Sequence, residues 1–191
     1  DSFFTGVTEG NIGSARIIKM LNVVDDSLVV ESNGIYSIEN YLTSRRLMYW
    51  QVYLHKTTVG CENVLINALH RAKQLAREGV ELFASPALRY FLYNDVTADS
   101  FQKEDKALDN YIALDDNDIW SALKVWQQHE DKILSLLSSN IINRKIFKVE
   151  VREEEPKEEE INHLKQEISK RYDVSLADCH HLVGVNRVQK D

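Results

Sequence analysis

Residues 58–79 read TVGCENVLINALHRAKQLAREG, and within them Cys61, Val64, Leu65, Ala68, Leu69, Ala72, Leu75 and Ala76 recur three or four apart. That spacing predicts a helix with one apolar stripe, and Gly79 supplies its stop. Glu62, Asn67, Arg71, Lys73 and Glu78 are expected on the opposite, solvated face. The same period continues on both sides. Upstream, Tyr41, Leu42, Met48, Tyr49, Val52 and Tyr53 line one face of a helix predicted over 37–55, and Ser14 is read as the N-cap of a short helix through Ile17, Ile18 and Leu21. Downstream, Ser85-Pro86 opens a further helical or turn segment. Asp115-Asp116-Asn117-Asp118 places acids at the positive end of a helix through Ile119, Leu123 and Trp126, and helices are expected over 131–139 and 161–171. Strand signals are few. Leu28–Glu31, a turn at Asn33-Gly34 and Ile35-Tyr36 read as a hairpin, residues 146–151 alternate as a strand, and Leu182–Val188 reads as a final one. The expected fold is therefore mainly α, with a small β-hairpin and a C-terminal α+β appendage. The change of composition at Ile141 divides the chain into a helical part, 1–140, and a small subdomain, 141–191.

At 191 residues and 22.1 kDa the chain can bury a core as one domain with an appendage. Lys+Arg 23 against Asp+Glu 30 leaves a net charge of −7, the wrong sign for a protein that coats nucleic acid. The acidity is local, because Glu153 to Glu160 hold six acids and one lysine. No apolar run approaches the roughly 20 residues that span a bilayer. Cys61 and Cys179, the two cysteines, cannot form a disulfide framework or a four-cysteine zinc site, so a reducing, cytoplasmic location is expected. The opening Asp1-Ser2-Phe3-Phe4-Thr5-Gly6 reads as though it enters a folded element part-way.

Common catalytic signatures do not occur. There is no Gly-x4-Gly-Lys-Ser/Thr loop, no Gly-x-Ser-x-Gly, no His-Glu-x-x-His and no Gly-x-Gly-x-x-Gly. Gly6, Gly10 and Gly13 are read as an ordinary turn ahead of the alternative, an anion-binding loop. Asp178-Cys179-His180-His181 is metal-like in composition, but in a strand the two imidazoles would point to opposite faces.

Arg45 stands out because it lies among Tyr41, Leu42, Met48, Tyr49 and Tyr53 on the aromatic side of its predicted helix. A guanidinium buried there needs an anionic partner. Either it pairs with an acid in a structural role, or Arg45, Tyr49 and Tyr53 offer a phosphate fork with aromatic surfaces beside it. Arg144 and Lys148 carry the same ambiguity within the basic stretch Asn143-Arg144-Lys145-Ile146-Phe147-Lys148. Both cations would project to one side, toward a phosphate or from a solvated edge strand.

Four ordered stretches together carry a resemblance. They are Asp1-Ser2-Phe3-Phe4-Thr5-Gly6, Tyr41-x-x-Ser44-Arg45-x-x-Met48-Tyr49-Trp50-Gln51-Val52-Tyr53-x-His55-Lys56, Leu114-Asp115-Asp116-x-Asp118-Ile119-Trp120, and Asn143 to Lys148. Over residues 1–150 the chain resembles the C-terminal half of bacterial HD-domain phosphohydrolases, relatives of the deoxynucleotide triphosphohydrolases and of the sterile-alpha-motif-and-HD-domain dNTPase. The resemblance implies a homo-oligomeric hydrolase releasing triphosphate from a dNTP, with a divalent metal (Mn, Mg or Fe) held upstream of Asp1 and none in this segment, which alone would be inactive. It further implies that Asp1 accepts a hydrogen bond from the ribose hydroxyl, that Arg45 holds the triphosphate, and that Tyr49 and Tyr53 lie near sugar or base. Arg16, Arg144 and Lys148 match positions that contact the phosphates of an activating nucleotide, while Gly13 and Asn33 stand where relatives carry an acid and a lysine. The alternative from another class is a non-catalytic helical interaction or nucleotide-sensing module.

Overall fold

In the computed structural model, which describes residues 2–7, 12–103 and 105–186, the 58–79 stretch lies in a 22-residue helix, α4, Lys56–Arg77. The preceding elements are α1 (Ser2–Thr5), α2 (Ser14–Lys19), strands β1 (Leu21–Val24) and β2 (Ser27–Val30), and α3 (Ile35–Met48). After α4 come α5 (Pro86–Tyr93), α6 (Ala98–Lys103), α7 (Asp105–Ala113), α8 (Asp116–Trp126), α9 (Lys132–Ile142) and α10 (Glu158–Tyr172). The fold is mainly α with one antiparallel hairpin among the described residues. No described helix is long and apolar enough to cross a membrane. Contacts divide the chain into two compact units, Asp1–Val59 and Gly60–Asp191, so the composition change at Ile141 falls inside the second.

In the first unit the hairpin lies one element earlier than the sequence reading placed it. β1 pairs with β2 in the register Leu21↔Val30 to Val24↔Ser27, and the turn is Asp25-Asp26 at φ 49° and 58°. Asp tolerates this left-handed region because its short polar side chain bonds locally, and two successive positive φ values match the twist of a two-residue hairpin. Asn33-Gly34 instead forms a 3-10 turn leading into α3. Gly34 is needed there for space, since a Cβ would lie 2.8 Å from Val30 Cγ1 and 2.9 Å from Met20 Cβ. Gly13, not Ser14, caps α2, and that helix ends at Lys19, which releases Leu21 into β1.

The second unit holds the core. Val64, Ala68, Ala72, Leu75 and Ala76 of α4 are buried against Leu88 and Leu92 of α5, Leu123 and Trp126 of α8, and Leu134, Leu137 and Ile141 of α9. Helix starts obey local chemistry. Ser85 accepts from the Leu88 N–H ahead of Pro86, Asp115 and Asp118 form a reciprocal capping box at α8, and Asp131 accepts from the Leu134 N–H at α9. Trp126, 1% exposed, donates its indole N–H to the Phe83 carbonyl at 3.0 Å. Neither expected C-terminal strand forms among the described residues, and positions 187 and 188 of the second lie outside them. Residues 146–151 have no strand partner, although Ile146 and Val149 do turn inward. They pack on α4 at Gly60, where a Cβ would come within 2.7 Å of Val149 Cγ2 and 3.1 Å of Ile146 Cγ2. The inward residues lie three apart, so the expected period of two does not hold in the folded segment. Residues 182–186 are turn and coil and Asp178–His181 is a 3-10 turn, so among the described residues the C-terminal part has helix and coil but no strand.

Candidate functional site

Arg45 sits near the end of α3 with Tyr41 one turn before it and Tyr49 one turn after. Beyond Met48 the helix widens into a π-helical segment, Tyr49–Tyr53, closed by the Leu54 N–H donating to the Tyr49 carbonyl at 2.7 Å. Such segments often occur at functional positions. The Tyr49 and Tyr53 rings meet edge to face with centroids 5.3 Å apart, and Arg45 Cζ lies 5.7 Å from the centre of the Tyr49 ring. Hydrogen bonding to Tyr49 first, then the phenols of Tyr49 and Tyr41 acting through charge, holds the Arg45 guanidinium above its ordinary value.

The expected burial of this face is corrected. On α3 only Ser44 and Met48 are buried, while Arg45 is exposed and Tyr41, Tyr49 and Tyr53 are 36%, 43% and 39% exposed. The helical spacing was right, but the apolar side chains of α3 are spread round its axis, so no single face is driven inward. Among the described residues no carboxylate pairs with Arg45, which leaves a cation over an accessible aromatic strip.

The remaining predicted residues are dispersed. Asp1 and Gly10 lie outside the described residues. Arg16 lines a hollow of about 300 Å³ with Gly13, Tyr36, Ser37 and Asn40, which includes none of Arg45, Tyr49 and Tyr53. In the second unit Arg144 and Lys148 do not act together. Lys148 donates to Glu150 at 2.6 Å, while Arg144 lines a cavity of about 430 Å³ with Cys61, Trp120, Lys124, Ile141, Ile142 and Ile146. Arg144 stands at φ 55°, just after the α9 C-cap. Its N–H donates to the Ile141 carbonyl at 3.2 Å and the Lys145 N–H donates to Asn140 at 2.8 Å. This is a Schellman helix end, where glycine is usual and another residue costs roughly 1 kcal/mol.

Arg71, expected on the solvated side of α4, is 8% exposed and forms a cluster the sequence reading missed. Its Nη2 and Nε donate to Asp131 at 2.6 and 3.1 Å, and Nη1 donates to Asp178 at 2.9 Å and to Gln74 at 3.1 Å. Burial pushes the Asp131 carboxyl up, but hydrogen bonds from Arg71 and the Leu134 N–H outweigh it and hold the group below the usual carboxylate range. His181, 3% exposed, contacts Gln74 Oε1 through Nε2 at 3.3 Å, and its Nδ1 has no partner among the described residues. Burial first, then His180 and Arg71, depress its pKa to about 4. Among the described residues no three His, Cys, Asp or Glu side chains are grouped to hold a metal ion.

Comparison with known proteins supplies the wider setting. Residues 12–84, which include the hairpin, α3 and the Arg45 strip, match the family model described as the HD associated region. YwfO, an uncharacterised protein of Bacillus subtilis (strain 168), is 35% identical over 147 residues, covering 77% of this chain and 32% of its own length. A phosphohydrolase of known crystal structure from Bacteroides thetaiotaomicron VPI-5482 is 62% identical, with a TM-score of 0.91 over 95% of this chain and 45% of that one. The chain thus spans about a third of the curated relative and under half of the solved one. Over nearly its whole length it is similar to a segment of a phosphohydrolase.

Proposed function

We propose that this chain is part of an HD-type phosphohydrolase acting on nucleoside triphosphates, with release of triphosphate from a dNTP as the reaction. Arg45 binds the substrate phosphates, and Tyr49 and Tyr53 bound the sugar or base, with Asp1 the candidate for the ribose hydroxyl. The observation that carries the reading is the charged, accessible Arg45, with no carboxylate partner among the described residues, held between Tyr41 and Tyr49 beside a π-helical turn. A planar guanidinium offers two parallel N–H donors to a phosphate and is charged at any working pH. The divalent metal (Mn, Mg or Fe) belongs to the whole protein in this proposal. The described residues fit no such ion, and no step is assigned to them through one. Arg16 is proposed as an effector-phosphate contact, since Tyr36, Ser37 and Asn40 put a ring, a hydroxyl and an amide around it. The whole protein is proposed to be a cytoplasmic homo-oligomer.

Triphosphate release by the full-length protein with Mn or Mg tests this. Arg45→Ala should lower kcat/KM by about tenfold to a hundredfold, the worth of a charge-assisted bond to phosphate. Unchanged kinetics in that variant would remove Arg45 from the site. A second reading, an interaction module, is favoured by the exposed apolar side chains of the first unit, Val23 at 63%, Leu28 at 71% and Tyr36 at 79%. Failure of dNTPs to stabilise the full-length protein against heat would favour it.

A further inference from the structure

The outer surface made by α5, α6 and α7 is aromatic. Tyr90 and Phe91 of α5 meet edge to face with ring centroids 5.3 Å apart, Phe91 meets Tyr111 of α7 at 6.5 Å, and Tyr111 meets Phe101 of α6 at 5.6 Å. This series is left open to solvent. Ala107 is the one buried residue of α7, while Phe101 and Leu108 are exposed and Tyr111 and Ile112 are 60% and 72% exposed. Leu108, Tyr111 and Ile112 stand three and four apart, so they share one side of the helix and form a continuous apolar strip. Exposed contiguous apolar side chains rimmed by polar ones mark interaction sites.

Charge selects what such a strip can receive. Residues 95–118 hold eight acids against two lysines, in a chain whose whole excess of acids is seven. Asp105 precedes Leu108 by three and Asp109 precedes Ile112 by three, and both carboxylates are exposed, so they border the strip on its own helix. Lys106 Nζ lies 5.7 Å from the centre of the Tyr90 ring, an ammonium already seated on an aromatic face of this surface. A nucleic acid, an anionic lipid or a free phosphate would meet charge of its own sign here. The same face of a second copy would do so too.

We propose that this face docks a cationic amphipathic segment of a partner protein. Its apolar residues pack on Phe101, Leu108, Tyr111 and Ile112, and its lysines or arginines reach Asp105, Asp109 and the ring faces. The face takes no residue from the Arg45 strip, so it stands or falls apart from the dNTP reading.

The test is fluorescence anisotropy on the full-length protein, using a labelled helical peptide built of leucine and lysine alone and its leucine–glutamate counterpart. The lysine peptide should bind saturably with a Kd below about 100 μM. Binding should weaken about tenfold in Leu108→Ser/Ile112→Ser, and by about as much in Asp105→Lys/Asp109→Lys. All four positions are exposed, and circular dichroism reports whether the fold is kept. Glu153→Gln/Glu154→Gln, in the other acidic stretch, should bind as the wild type does; an equal loss there would reduce the effect to general charge attraction and overturn the proposal. Absence of saturable binding also overturns it, as does equal binding of the glutamate peptide. Concentration-dependent self-association that disappears in Asp105→Lys/Asp109→Lys would give the face to a second copy and overturn it as well.

Discussion

Acidification should loosen the second unit through one imidazole. His181 is 3% exposed, its Nδ1 lacks a partner among the described residues, and the Arg71 cation is among its neighbours, so the neutral ring is the form the fold accepts. Its pKa is depressed from 6.5 to about 4. The folded state therefore binds the proton less well than the unfolded chain, and stability is retained above pH 6.5 and lost as the pH falls toward 4. At 1.36 kcal/mol per unit, the loss across that window is about 3 kcal/mol. That is a large share of a domain's usual 5–15 kcal/mol. The groups facing His181 are Gln74, Arg71, Asp178, His180 and His70. Of the acids in this cluster, Asp131 is held below its ordinary range and so titrates under the window, not within it. Urea unfolding followed by tryptophan fluorescence between pH 7 and 4, on the wild type and His181→Gln, isolates the effect. The wild-type curve should fall more steeply, with the two separating below pH 6.5. Parallel curves would show that His181 does not titrate against the fold and would refute the reasoning.

Further substitutions test the packing. Arg71→Ala leaves Asp131 and Asp178 partly buried without their cation and should cost about 3–5 kcal/mol in urea melts, far more than an exposed ion pair. Gly60→Ala sets a methyl 2.7 Å from Val149 Cγ2, so the 146–149 segment must shift, and the expected loss is about 1–3 kcal/mol. Arg144→Gly should do the reverse and raise stability by roughly 1 kcal/mol, because the left-handed helix end no longer carries a side chain. Arg45→Ala should leave the melting curve within about 0.5 kcal/mol of wild type, since the side chain is exposed and makes no ion pair among the described residues.

The α4 stripe was legible because five of its small and branched apolar residues face a dense core, and period alone fixes that face. Helix starts at Ser85, Asp115 and Asp131 were legible because capping is local chemistry. The hairpin was found but misplaced, because Asn-Gly is the stronger turn signal and Asp25-Asp26 the weaker, though Asp too is favoured in turns. In residues 146–151 the apolar alternation misled, because the segment packs through Ile146 and Val149, three apart, on a helix made approachable by Gly60, while Val151 stays exposed. Helices α6 and α7 went unread. Their rings Phe101 and Tyr111 stack edge to face with each other, and Tyr111 does the same with Phe91 of α5, a series no short window displays.

The two arginines show why a charged site is harder to read than a core. Arg45 lies among aromatic residues in sequence and is exposed, while Arg71 lies among polar positions and is buried. Helical spacing assigns a residue to a face, but a charge is buried only where acids come to meet it. For Arg71 those acids are Asp131 and Asp178, 60 and 107 positions away and carried by a helix cap and a 3-10 turn. With its hydrogen bonds satisfied on both sides, Arg71 has little left to offer a ligand and works as a clasp between α4, the start of α9 and the C-terminal turn. Arg45 has aromatic rings in place of acids, so its charge is uncompensated by any carboxylate among the described residues. An anion that reaches it gains a charge-assisted bond without first displacing an acid, which makes Arg45 and not Arg71 the place to look for phosphate.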